Sequence, residues 1–445
     1  MALGGGTFTT TDKMLAGAYI NSVSAARSLS LIGDNGVVAI ALEHDYGNTG
    51  EVMTLTPSEF REDSLSYLGY SLFDDKLKGL RELFENSKRV HIYVLNNTTK
   101  ASNDLATAKK GGTRGNEIVI KVQNNLDNPE KKDVITMIDF MEVDKQTVTK
   151  ASELQPNAFV TFKDTELTEK AGEKLKGGSD GNVTNGDHQK FLSLIETMSF
   201  NSVACMATTK EVQKLYIAYT KRMRDDIGLK FATILCEASD LGGDSQIYDY
   251  EGIVIVKNKV KGGSTKGNEL VPYTAAIYAN AQLGRSNLNR QYTGEYEVIT
   301  DYTQLQLKDM IKAGRFVYHR VGDTVRVLED VNGLVTFTDA KGSEFKDNQV
   351  VRVLDALAIS DARVFNEVYL GKVNIDTAGK ESYRNKIIDV REEFLKRGAL
   401  KDYDKDSIQV VEIKSDEVRG AVKVDSSVTP AECFRQLYLT NYVRR

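Results

Sequence analysis

Apolar residues in this chain gather in short continuous runs, separated by stretches in which they recur every three or four positions. Val37–Leu42 (Val-Val-Ala-Ile-Ala-Leu) follows the turn sequence Asp34-Asn35-Gly36 and has no polar position. That pattern predicts a strand covered on both faces. Residues 90–95, 202–207, 231–235 and 252–256 read the same way. Between the runs, Pro57-Ser58-Glu59-Phe60 opens a predicted helix, and residues 74–86 place Leu77, Leu80, Leu83 and Phe84 on one helical face. Residues 188–197, 211–227 and 270–283 are predicted helices too. In the last, Ala275, Ala276, Ala279 and Ala281 permit close packing. Buried strands alternating with helices imply an α/β core.

The pattern changes between about residues 100 and 187. Residues 117–123, 134–141, 146–148 and 159–162 are short strand-like runs, bounded by the loops 111–116 and 177–182. Short strands with turn residues between them predict a small β-rich domain inserted into the α/β chain. The core is then split into 23–99 and 188–293. A C-terminal domain over 294–430 has predicted strands at 316–321, 325–328 and 334–337, helices at 349–369 and 381–396, and strand-like runs at 408–413 and 421–424. The expected fold is therefore mixed α/β (α+β) and multidomain.

Both ends read as arms. The N-terminal arm, residues 1–22, is Gly- and Thr-rich over 1–18 and continues into a short extended run, Ala18–Val23, that includes Ala18, Tyr19 and Ile20. In the terminal segment 431–445, Leu437, Leu439 and Val443 alternate with Gln436, Tyr438 and Thr440. A two-faced strand at a chain end must pair with something, either its own domain or the sheet of a neighbouring subunit.

Composition narrows the function. With 41% hydrophobic and 27% charged residues and a net charge of −5, the chain is ordinary for a globular protein, and nucleic-acid binding has no general electrostatic basis. Three distant cysteines, Cys205, Cys236 and Cys433, imply reduced thiols. The start Met-Ala-Leu-Gly-Gly-Gly lacks the basic and apolar regions of a secretory signal, and no apolar run approaches the ~20 residues that span a bilayer. The subunit is expected in the cytoplasm, with no membrane binding of its own.

Catalytic constellations are not found. Lys261-Gly262-Gly263-Ser264-Thr265-Lys266 has the composition of a phosphate loop in the wrong order, and His44, His91, His188 and His319 are scattered without metal-ligand spacing. The Asp180-Gly181-Asn182 run lacks the later ligands of a calcium loop, and no Gly-x-Ser-x-Gly elbow occurs. No catalytic residue, cofactor or metal is expected.

Four segments carry a resemblance. Gly5-Gly6-Thr7-Phe8-Thr9-Thr10 with Gly17-Ala18-Tyr19-Ile20-Asn21 resembles the opening of the contractile phage tail sheath family, which includes the sheaths of phage-tail-like bacteriocins. Ala108-Lys109-Lys110-Gly111-Gly112-Thr113-Arg114-Gly115-Asn116, Leu175-Lys176-Gly177-Gly178-Ser179-Asp180-Gly181 and Arg435-Gln436-Leu437-Tyr438-Leu439-Thr440 are similar to later segments of that family, in the same order. The resemblance implies a structural subunit that stacks as hexameric rings in a helical sleeve around an inner tail tube. Such a sleeve contracts to drive the tube through a target envelope, consuming no nucleotide. Baseplate and tail terminator proteins would complete the partners, and assembly in the host cytoplasm would precede incorporation into a virion tail or tail-like particle. It also implies arms that add strands to neighbouring subunits, here through Ala18, Tyr19 and Ile20 and through Leu437, Tyr438, Leu439 and Val443. A tube-facing helix would lie in the C-terminal domain, with Arg384, Lys386 and Arg391 as its densest cations. The alternatives are an α/β hydrolase or transferase with a β insertion, and another virion structural subunit.

Overall fold

The computed structural model describes residues 35–242, 245–265, 267–413 and 420–444. The chain opens with β1 (Val37–Leu42) and β2 (Val52–Leu55), then α1 (Pro57–Leu68), α2 (Lys78–Glu85) and β3 (Arg89–Val94). Residues 100–174 follow as β4 (Lys100–Ser102), β5 (Ala106–Gly111), β6 (Val119–Asn124), β7 (Lys132–Ile138), β8 (Met141–Val148), β9 (Val160–Phe162) and β10 (Lys170–Lys174). The chain then returns through α3 (Asn185–Ile195), β11 (Ser202–Cys205), α4 (Lys210–Lys221), β12 (Ala232–Cys236), β13 (Ile253–Val256), α5 (Leu270–Ala279), α6 (Gln304–Lys312), β14 (Arg315–Val321) and β15 (Thr324–Glu329). Last come α7 (Asn348–Val364), α8 (Thr377–Lys396), β16 (Leu400–Ile413) and β17 (Ala421–Pro430).

One eight-stranded sheet, in the order β15-β14-β13-β12-β11-β1-β3-β2, organises the molecule. Strands β3, β1, β11, β12, β13 and β14 run parallel, and β2 and β15 close the edges antiparallel. Successive side chains of β1 serve opposite faces. Val38 and Ile40 join a cluster with α5 and α2, whereas Ala39 and Ala41 join one with Phe191 of α3 and Tyr216 of α4. The wholly buried α5 lies against the first face, which is why it is largely apolar all round. Local signals agree with this packing: Thr56 and Glu59 form a capping box on α1, and Gly69 ends that helix in the left-handed region.

Residues 100–174 build two further sheets, β10-β6-β7-β8 and β4-β5-β9, around a core of their own that includes Ile120, Val134 and Val160. The final helices pack on each other and on the β16–β17 hairpin. Two buried ion pairs tie α7 to the core: Arg224 with Asp355 (2.7 Å) and Arg352 with Asp330 (2.8 Å).

The mixed α/β, multidomain fold expected from the sequence is the one observed. The expected boundary at residue 294 is corrected. Strands β14 and β15 belong to the eight-stranded sheet, because β14 pairs parallel with β13, Ile255 with Arg315, although the two residues are 60 positions apart. The strand expected at 334–337 does not form. Its amides at Val335 and Thr336 are taken by the Asp249 carboxylate in place of a sheet partner.

One buried carboxyl reports on this packing. Glu82 of α2 is 1% exposed, and its Oε1 accepts bonds from the Tyr292 hydroxyl (2.7 Å) and the Glu295 amide (2.5 Å). Burial outweighs these bonds and pushes its pKa up to about 7. A carboxyl raised in the folded state contributes stability that is fully present below its unfolded value and is lost as pH rises through about 7. Glu82→Gln removes that loss. The stability of the variant relative to the parent should therefore rise by about 2 kcal/mol between pH 5 and pH 8, read from urea melts at the two pH values.

Candidate assembly surfaces

Three of the four resemblance segments fall among the described residues, and two of them meet. Gly111, at the end of β5, exchanges backbone bonds with Gly47 of the core (2.9 and 3.1 Å). Gly112 has φ +117°, and a Cβ there would lie 2.0 Å from the Asp45 carbonyl oxygen, so only glycine fits. Lys110 Nζ donates to the carbonyls of Ser66 (3.0 Å) and Tyr67 (2.5 Å), and Arg114 Nε donates to that of Gly69 (2.7 Å). These cations satisfy the open carbonyls at the C-terminus of α1, where the helix dipole favours positive charge. Burial lowers the Lys110 pKa to about 8. The returning segment closes the joint: Thr113 N and Oγ1 donate to Asp180 (2.7 and 2.9 Å), and Asn116 and Gly178 exchange two bonds of 2.9 Å. The glycine-rich segments that carry the resemblance thus form the joint between the inserted sheets and the core.

The C-terminal end makes a second surface. β16 and β17 pair only with each other among the described residues, and α8 covers one side of the hairpin through Ile387, Ile388 and Ile408. Val411 and Ile413 remain substantially exposed. The chain beyond is gripped at its root. Ala431 N donates to Ala399 O (2.9 Å), Gln349 Nε2 donates to Ala431 O (2.8 Å), and Gln349 Oε1 accepts from Cys433 N (3.2 Å). Arg435 pairs with Asp347 and, at 3.8 Å, with Glu329. After Arg435 the side chains are uncovered: Leu437, Tyr438, Leu439 and Val443 are 84, 88, 70 and 92% exposed. The expected strand at 433–443 is absent from the single subunit, for among the described residues no strand lies beside it to complete its hydrogen bonds. Ala18, Tyr19 and Ile20 lie outside the described residues.

The three α8 cations do not share one surface. Arg384 donates to Ile408 O (2.8 Å) and Lys405 O (3.0 Å), and Lys386 is exposed beside Asp389 (2.9 Å). Arg391 is corrected: it is 5% exposed and is held by Asp361 and Ser426, so it presents no charge outside the subunit. Positions 384 and 391 are seven residues apart and share the inward face, whereas 386 is about 200° around the helix from 384.

The remaining chemical candidates are structural. His44 bonds Leu68 O (2.7 Å), His91 bonds Thr54 Oγ1 (2.8 Å) and Ser199 O (3.2 Å), and His188 bonds the Tyr216 hydroxyl (3.0 Å). Cys205 and Cys236 are buried, the latter's thiol pushed up to about 12 by burial. In the Lys261–Thr265 loop, the Ser264 amide already donates to Glu269 (2.6 Å). Lys266 lies outside the described residues. Among the described residues no group of three or more His, Cys, Asp or Glu side chains is placed to hold a metal, and no helix is long and apolar enough to cross a membrane.

Comparison with known proteins adds three kinds of match. Residues 96–180, 181–333 and 340–444 match sequence models of the phage tail sheath protein beta-sandwich domain, central domain and C-terminal domain, in that order. The chain is 29% identical to the phage-like element PBSX protein XkdK of Bacillus subtilis (strain 168), over 98% of this chain and 99% of that protein. It is 31% identical to the uncharacterized protein YqbK of the same strain, over 80% of each. Among solved structures, the sheath tail protein from Desulfitobacterium hafniense superposes with a TM-score of 0.81 at 31% identity, covering 95% of this chain and 99% of the other. The sheath tail protein from Listeria innocua gives 0.73 at 28%, covering 92% and 95%. The helical sheath of the anti-feeding prophage in its contracted state gives 0.57 at 11%, covering 97% and 99%, which is a likeness of fold.

The joint has a direct test. Gly112→Ala puts a methyl group against the Asp45 backbone at a positive φ. It should destabilise the protein by about 2 kcal/mol or more, measured as a lower urea midpoint.

Proposed function

The chain belongs to the phage tail sheath family, and from that premise we propose that it is the repeating subunit of a contractile sleeve built around an inner tail tube. The observation that carries the reading is the ordered match of the three sheath domains across residues 96–444. The subunit stacks in hexameric rings and works by changing its packing. Baseplate, tube and terminator proteins are its other partners, and the finished sleeve is part of a phage tail or a tail-like particle after assembly in the host cytoplasm.

The terminal segment supplies the link between subunits. Residues 436–444 offer alternating apolar side chains that nothing covers, while the root at 431–435 is fixed by Gln349 and Asp347. A strand held at its root and uncovered beyond it fits addition to a neighbour's sheet. The β16–β17 hairpin, whose outer edges are unpaired among the described residues, is the receiving element. Ala18, Tyr19 and Ile20 act in the same way at the other end. A strand added through about six backbone hydrogen bonds contributes roughly 3–9 kcal/mol, enough to hold neighbours while other contacts break and re-form. The inserted domain, residues 100–187, faces outward, and the exposed side of α8 with Lys386 faces the tube.

Negative-stain microscopy of the purified protein should show sleeves. Removing residues 436–445 should leave a folded subunit, checked by circular dichroism and thermal melting, that forms none. Leu437→Asp combined with Leu439→Asp should do the same, because charge is placed on the face that a neighbour buries. Sleeves from either variant at the parent's concentration would refute the strand-exchange role.

A further inference from the structure

The loop between α1 and α2 presents Phe73, which is 82% exposed. It is not a stray surface aromatic, because its backbone is gripped on both sides. Arg81, itself 8% exposed, donates from Nη1 to the carbonyls of Leu72 and Asp74, both at 2.7 Å. Its other nitrogens fork onto Glu295 at 2.6 and 2.7 Å, so the guanidinium cannot turn without breaking four bonds. The exposed carboxylate of Asp75 stands two residues on. A rigid aromatic held in water has already lost the backbone entropy of docking, which is the usual property of an interface anchor.

At the other end of the sheet lies a cavity of about 570 Å³. It opens where β1, β3 and β12 begin, between the sheet and α7. Phe200 and Phe231 give it aromatic wall, and Lys88, Arg89, Lys230 and Arg363 line it with positive charge. Among the described residues that line it, none is acidic. Arg363 is already engaged within the subunit, and the other three cations, Lys88, Arg89 and Lys230, give this cleft of a chain with net charge −5 a positive local field that suits carboxylate.

The two features sit at opposite ends of the strands of the parallel sheet. Tyr70 and Lys76 flank the Phe73 loop and contact Asp45, just beyond the C-terminal end of β1, by 2.6 and 3.5 Å bonds. Val37 and Arg89 of the cleft are the first residues of β1 and β3. α2 runs from one site to the other. We propose that Phe73, with the adjoining Asp74 and Asp75, docks into the cation-lined cleft of a second copy of this chain. A contact between unlike patches at opposite ends is heterologous, so it builds a ring where its rotation closes and a helical lattice where it does not. The proposal rests on the self-assembly reading above and names a second, side-chain contact independent of the terminal strands.

The test places a photoreactive benzoyl-phenylalanine at position 73 of the otherwise unaltered full chain. In the polymer it should cross-link to peptides carrying Phe200, Phe231 or residues 356–363 of another copy, and it should not do so in dilute subunit. Phe73→Ala and, separately, Lys88→Glu should raise the critical concentration for sleeves at least tenfold with unchanged thermal melting. If the parent forms no polymer, the self-assembly reading falls and this proposal with it. If the parent forms sleeves and Phe73→Ala forms them at the same concentration, this proposal alone falls. A cross-link to another surface, or to a different protein such as the tube, overturns it as well.

Discussion

A parallel strand with no polar face must be covered on both sides, and the rest of this subunit follows from meeting that demand at β1. Val38 and Ile40 need α5 and α2, and Ala39 and Ala41 need α3 and α4. With both faces occupied, the sheet offers only its two edges and the ends of its strands to the remainder of the chain. The inserted sheets attach beyond the C-terminal ends, at Asp45 and Gly47, and α7 attaches beside the N-terminal ends, through Arg224 and Asp355. The parts that differ in role are therefore held at opposite poles of one rigid layer.

The two attachments use charge differently. At the insert, Lys110 and Arg114 sit on the carbonyls that end α1, so their partners are fixed backbone dipoles and the joint has little freedom. At α7, the Arg224–Asp355 and Arg352–Asp330 pairs are buried and specific. Breaking either would strand a charge in a dry environment, which makes their contribution one of geometry more than of net attraction. Such joints suit the proposed sleeve, in which force applied to one part of a subunit must reach the others without unfolding them.

The terminal segment shows the opposite treatment. Its root is fastened by Gln349 and Arg435, and beyond that point apolar and aromatic side chains stand in water. A single subunit leaves this surface incomplete. In the strand-addition proposal, completion by neighbours turns the cost of exposure into a driving force for assembly, the same apolar burial that shapes the core.

Much of this was legible in the sequence, and the reasons are local. The apolar run of β1, the capping box before α1 and the alternation of Leu437, Tyr438 and Leu439 are set by neighbouring residues, whose periodicity survives in the linear chain. The glycine-rich segments 108–116 and 175–181 were visible as well, though not their meeting, because Thr113 and Asp180 are 67 residues apart and only the fold brings them together. Membership of β14 in the main sheet, the inward turn of Arg391 and the grip of Arg81 on the Phe73 loop were likewise decided by tertiary structure. Each depends on which partner lies across a gap in sequence, and a charged or alternating segment reads the same from the chain alone whether its partner is water, its own core or another subunit.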